Sequence, residues 1–102
     1  MRISAKLWHE VFVRDNGYCQ YCGADLLISR ATYGGAQVDH VHAVANNGQD
    51  ELENLRLACP TCNGSLSRHN HLITFEERKA LMDRKNVVHE KNYQDLFSRL
   101  RK

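Results

Sequence analysis

No stretch of the 102-residue sequence approaches the roughly 20 consecutive apolar residues that a membrane span requires, and no membrane protein is expected. The opening Met1-Arg2-Ile3-Ser4-Ala5-Lys6 carries basic residues with no apolar segment behind them, so a secretory signal is not expected and the cytoplasm is the expected compartment. The net charge is small. Fourteen Lys and Arg against 12 Asp and Glu leave +2 with histidines neutral, too little by itself to imply a polyanion partner. Internal repeats, low-complexity stretches and linkers are absent. Proline occurs once, at Pro60. A thioredoxin-like fold needs a later cis-proline beside its CxxC pair, which argues against a redox reading of Cys59-Pro60-Thr61-Cys62.

What is present is ordinary for a globular chain: 42% hydrophobic and 25% charged residues, with apolar clusters recurring too regularly for disorder. The length suits one domain spanning 1–102. Four cysteines come as two equally spaced pairs, Cys19-Gln20-Tyr21-Cys22 and Cys59-Pro60-Thr61-Cys62. In a cytoplasmic chain such pairs favour zinc over disulfides, because each turn brings two thiolates onto one ion and a tetrahedral Zn²⁺ needs two turns to close its shell. Four buried free cysteines are the blander alternative, and two matching pairs argue against it. Residues 23–58 lie between the pairs, more than a compact zinc ribbon uses, so a structural element must loop out and return. Zinc with four thiolates carries about −2, which cancels the formal charge and makes any attraction to DNA local.

Leu7, Trp8, Val11 and Phe12 share one helix face within Ser4 to Arg14, and Asp15-Asn16-Gly17 ends that helix. Leu26-Leu27-Ile28 reads as a short strand or loop before the Gly34-Gly35 turn. Gln37 to Ala43 and Asn54 to Ala58 read as two strands of a hairpin with a long connecting loop. A short helix is expected from Asn63. Thr74 with Glu77 forms a capping box that opens a helix through about Arg84, and Tyr93, Leu96, Phe97 and Leu100 mark a second one. Trp8, Phe12, Phe75, Tyr93 and Phe97 are expected in the core, with Trp8 and Phe12 over the first knuckle and Tyr18 and Tyr21 shielding the zinc.

The stretches Arg14 to Gly23, Val38-Asp39-His40-Val41 and Gly48 to Asn63 stand in an order and spacing that resembles the HNH endonuclease family. The likeness runs from Arg14 to about Arg68, with a C-terminal helical extension over about 74–101. It implies an α+β fold: a ββα-metal core with a structural four-cysteine zinc site at Cys19, Cys22, Cys59 and Cys62, flanked by an N-terminal helix and C-terminal helices. It further implies that His40 is the general base, since an imidazole with a pKa of about 6.5 is largely neutral at pH 7. Asp39 and Asn63 would hold one divalent cation, Mg²⁺ or Mn²⁺, and Asn54 would orient the hairpin loop and thereby His40. The zinc, next to Asn63 through Cys62, would pin the helix that presents this ligand. Asp39 and His40 are neighbours and would face opposite ways on an ideal strand, so the strand must end, bulge or twist there.

Ala43 stands where family members often carry Pro, and Asn47-Gly48 where paired glycines are usual, so the loop is expected to differ in shape. Asn63 stands at a position that is either His or Asn in the family, since either side chain can ligate the cation, and metal preference is left open. Arg56 and Arg68 are the candidates for phosphate contact, because a guanidinium fork matches phosphate geometry. His42, His69 and His71 are read as surface groups, and His9 and His89 as structural.

Two readings of function follow. The first is a metal-dependent enzyme that cuts DNA, by nicking or double-strand cleavage, with weak sequence specificity because a single DNA-binding module buries only about 600–1,000 Å². The second is a zinc-stabilised module that binds nucleic acid or protein without cleavage. An exposed apolar stripe on the C-terminal helices would point to a homodimer or a protein partner. Phage packaging, restriction and mobile-element roles are all open.

Overall fold

The computed structural model describes residues 3–101. Ser4 opens α1 (Ala5–Arg14) by accepting a hydrogen bond from Leu7 N at 3.0 Å. Asn16 and Gly17 end it in left-handed conformations, φ 56° and 74°. At Gly17 this φ is one that glycine adopts without strain and other residues rarely adopt. Asp15 lies buried behind the turn and accepts from Leu57 N at 2.8 Å, tying the helix end to the sheet.

Leu26 is buried and Tyr18 bridges Asp25, but no strand forms at residues 26–28. Instead Ser29 caps a five-residue helix that the sequence reading does not anticipate, α2 (Arg30–Gly34), by accepting from Thr32 N. Its Tyr33 ring stands 6.0 Å from Trp8 and 5.7 Å from Phe12, while Phe12 packs in the core that also holds Cys19 of the first knuckle.

β1 (Gln37–His40) and β2 (Leu55–Ala58) pair antiparallel, with Gln37 opposite Ala58 and His40 opposite Leu55. β1 stops three residues short of the expected Ala43, because from Val41 the chain turns into a loop built on two short 3-10 turns, Val44–Asn46 and Leu52–Asn54. α3 (Pro60–Leu66) begins earlier than Asn63: Pro60 takes the first helical position, where its missing N–H costs nothing, and Cys59 Sγ accepts from Cys62 N at 3.4 Å. β2 packs on α1, and β1 on α3. Val11, Phe12, Leu26, Leu55, Leu57, Leu66 and Met82 form the core with Tyr21, Cys19 and Cys62.

The capping box at Thr74 and Glu77 opens α4 (Phe75–Leu100). The sequence reading expects two helices here and one forms, because no glycine or proline stands between Arg84 and Tyr93 to break it. Met82 is the last buried residue of this helix, so Tyr93 (56% exposed) and Phe97 (47%) are not core residues. Glu90 with Gln94 and Asp95 with Arg99, each four apart, support the exposed half at about 0.2–0.5 kcal/mol per pair. No helix among the described residues is long and apolar enough to cross a membrane.

Candidate functional site

The two knuckles meet. The Sγ atoms of Cys19, Cys22, Cys59 and Cys62 all lie within 4.8 Å of one another, and Cys22 and Cys59 approach to 3.7 Å. A tetrahedron with Zn–S bonds of about 2.3 Å has edges of about 3.8 Å, so the cluster has the donor set and nearly the dimensions of a structural zinc site. Four thiols this close compete for protons. Hydrogen bonds from Cys22, Cys59 and Cys62 hold the Cys19 thiol far below its ordinary value, while those with Cys19, Cys22 and Cys59 push Cys62 far above it. Asn86 of α4 donates to Cys62 Sγ at 3.6 Å, which ties the long helix to the knuckle.

Asp39 and His40 are the last two residues of β1. Both line one shallow depression of about 290 Å³ together with Asn63, Ser67, Asn70 and Arg78. Asn54 closes the loop beside it. Its Oδ1 accepts from His42 N at 2.9 Å, and its Nδ2 donates to the carbonyls of His42 and Gln49, both at 3.0 Å. One side chain thus joins the loop's entry to its exit. Gly48 completes the closure: its N donates to Ala43 O at 2.9 Å, and a Cβ there would fall 1.7 Å from His42 O. Asn47 before it is left-handed, with φ 70°.

His40 Nε2 lies 2.8 Å from Asp50 Oδ1. Asn63 Nδ2 donates to Gln37 Oε1 at 2.6 Å, so α3 is braced on β1 and Asn63 Oδ1 accepts no bond from the described residues.

Asp39 is 3% exposed and is held by two side chains that the sequence reading does not connect to it. Arg78 of α4 donates from Nη2 to Oδ1 at 2.6 Å and from Nε to Oδ2 at 3.0 Å, and Tyr21 Oη donates to Oδ2 at 2.6 Å. The remaining guanidinium hydrogens go to the carbonyls of Leu66, His69 and Leu72, so a fully buried cation has no unmet donor. Burial works against the guanidinium charge and the Asp39 carboxylate outweighs it, leaving Arg78 above its ordinary pKa. Burial and the Asp39 charge raise Tyr21, which stays a protonated donor, and its side chain lies in the core with Cys19 and Cys62. Three of the four lone pairs of Asp39 are taken, and one on Oδ1 accepts no bond from the described residues.

Arg56 lies over the Phe75 ring at 5.0 Å and donates from Nη1 to the carbonyls of Glu53 and Leu55, while Nε and Nη2 have no hydrogen-bond partner among the described residues. Arg68 is exposed just past α3. Its neighbours His69 and His71 stack at 5.7 Å, and His42 joins the site only through its backbone. A groove of about 1080 Å³ between the first knuckle and α4 has none of Asp39, His40 or Asn63 in its lining.

Compared with known families, residues 19–69 match HNH endonuclease. Neither the curated proteins nor the solved structures compared with the chain give a match.

Proposed function

The chain belongs to the HNH endonuclease family, and from that membership we propose that it is a metal-dependent enzyme that hydrolyses phosphodiester bonds in DNA. The observation that carries the reading is the shared lining: Asp39, His40 and Asn63 reach one depression from two elements, and Asn54 closes the loop beside it. In this reading His40 accepts the proton of the attacking water, a task that suits an imidazole near neutral pH. Asn54 positions His40 through the loop. Asp39 Oδ1 and Asn63 Oδ1 hold one Mg²⁺ or Mn²⁺, and two oxygens fit an ion that keeps most of its waters. When bound, the ion neutralises charge developing on the phosphate and the leaving oxygen. Because Arg78 and Tyr21 occupy the rest of Asp39, that carboxylate meets the ion through a single oxygen.

The four-cysteine site holds zinc away from the chemistry and fixes the start of α3, whose fourth residue is Asn63. Arg68 serves as a phosphate contact, and Arg56, stacked on Phe75, is the second candidate for one.

Zinc-loaded protein incubated with supercoiled plasmid and Mg²⁺, Mn²⁺ or no added ion tests the reading. Ion-dependent nicking that disappears in His40→Ala, with zinc content and fold kept, is the expected result. Plasmid binding without nicking under any ion would replace the enzyme with a binding module.

A further inference from the structure

Asp50 belongs to no zinc, cation or phosphate set, yet it is the group that touches the ring of His40. The contact is short, 2.8 Å between His40 Nε2 and Asp50 Oδ1, and both side chains are about four-fifths buried, with 20% and 24% exposed. At neutral pH a carboxylate accepts hydrogen bonds and donates none, so Nε2 must carry the ring hydrogen. Nδ1 is then the only ring atom able to take up a proton. A neutral histidine in water samples both tautomers, and the partner of one nitrogen decides the state of the other.

The carboxylate is itself aimed by the loop. Asn54 Nδ2 grips the carbonyl of Gln49, the residue before Asp50, while the same amide spans the two hydrogen-bonding groups of His42. Gly48, pressed on His42 O, removes the slack one residue earlier. A rigid path therefore runs from Asn54 through the Gln49 peptide to Asp50 and on to the imidazole.

We propose that Asp50 is the positioning residue of His40: it fixes the tautomer with hydrogen on Nε2, so that Nδ1 accepts the proton of the attacking water. Asn54 acts on the base through this carboxylate. The assignment of a reacting atom rests on the endonuclease reading, whereas the tautomer is a property of the protein without DNA.

The two are separable by experiment. Protein labelled with ¹⁵N-histidine and loaded with zinc is recorded by long-range ¹H–¹⁵N NMR at a pH where the imidazole is neutral, with His40 assigned by His40→Gln. Hydrogen on Nε2 in the wild-type protein is expected, and its loss to a mixture in Asp50→Ala, with partial restoration in Asp50→Glu. Hydrogen on Nδ1 of wild-type His40 would overturn the proposal without any variant. In plasmid nicking, Asp50→Ala should lose at least tenfold in kcat, short of the 10²–10⁴ that general-base catalysis contributes, with KM for DNA little changed and zinc content kept. An unchanged kcat would also overturn it. If the wild-type protein does not nick at all, the endonuclease reading falls and the tautomer result still decides the contact.

Discussion

Tyr21 Oη stands 2.6 Å from Asp39 Oδ2, so a side chain carried between the first two cysteines ends on the carboxylate beside His40. The metal knuckle and the depression are thereby one mechanical unit. Tyr21→Phe removes this bond without opening a cavity. It should cost about 1.5–3 kcal/mol, the usual worth of a hydrogen bond to a charged group, measured by urea unfolding of the zinc-loaded protein. Zinc content should be unchanged, and the Mg²⁺ concentration for half-maximal nicking should rise. Chelating the zinc should displace Tyr21 and have the larger effect on both readings.

Arg78 and Asp39 form a buried pair whose members cannot be removed singly. Arg78→Met leaves a carboxylate without its cation, a loss of about 3–5 kcal/mol, whereas the double variant Arg78→Met with Asp39→Asn should recover much of it. Comparing the three unfolding free energies checks this. A loss in the double variant equal to the sum of the two single losses would show that the pair is not coupled.

Gly48→Ala places a methyl group inside the van der Waals radius of a backbone oxygen, and the loop must open to admit it. A destabilisation of about 1–3 kcal/mol is expected by thermal unfolding. Nicking should fall further than stability does, because the displaced loop also carries Asp50 and Asn54. A variant with wild-type nicking would show that the loop's closure is dispensable.

Glu77 is held below the usual carboxylate range by the Thr74 hydroxyl, with help from the backbone N–H groups of Ile73 and Thr74. Its folded pKa is lower than its unfolded one, so its stabilising effect is complete above the unfolded value and is lost as the pH falls through the folded value. Helix content followed by circular dichroism should therefore decline across that acid window. Glu77→Gln, which keeps the capping geometry, should lose this component of the pH dependence.

Features set by near neighbours in sequence are legible without a structure. The cysteine spacing, the capping box and the hairpin each depend on residues a few positions apart or on two short strands. Arg78 is not legible, because its partner lies 39 positions away and its helix reads as solvated charge. α2 escapes because five residues with one large apolar side chain carry no periodic signal. The stripe of Tyr93, Leu96, Phe97 and Leu100 is real, but periodicity says that a stripe exists and not that anything covers it. Asp50 lies inside the stretch that resembles the family and still goes unread, since nothing in linear spacing shows which loop residue folds back onto His40.

Met82 is the last residue of α4 sealed in the core, and Asn86 the last with a bond to a cysteine sulfur, although the helix continues to Leu100. Continuous in hydrogen bonding, it is divided in dynamics. Backbone amides up to about Asn86 can exchange with solvent only through opening of the whole body, whereas those beyond it are protected by little more than helix propensity and unzip from the C-terminal end. Hydrogen–deuterium exchange along this one helix would show a step, slow before it and fast after it, that no break in the backbone announces.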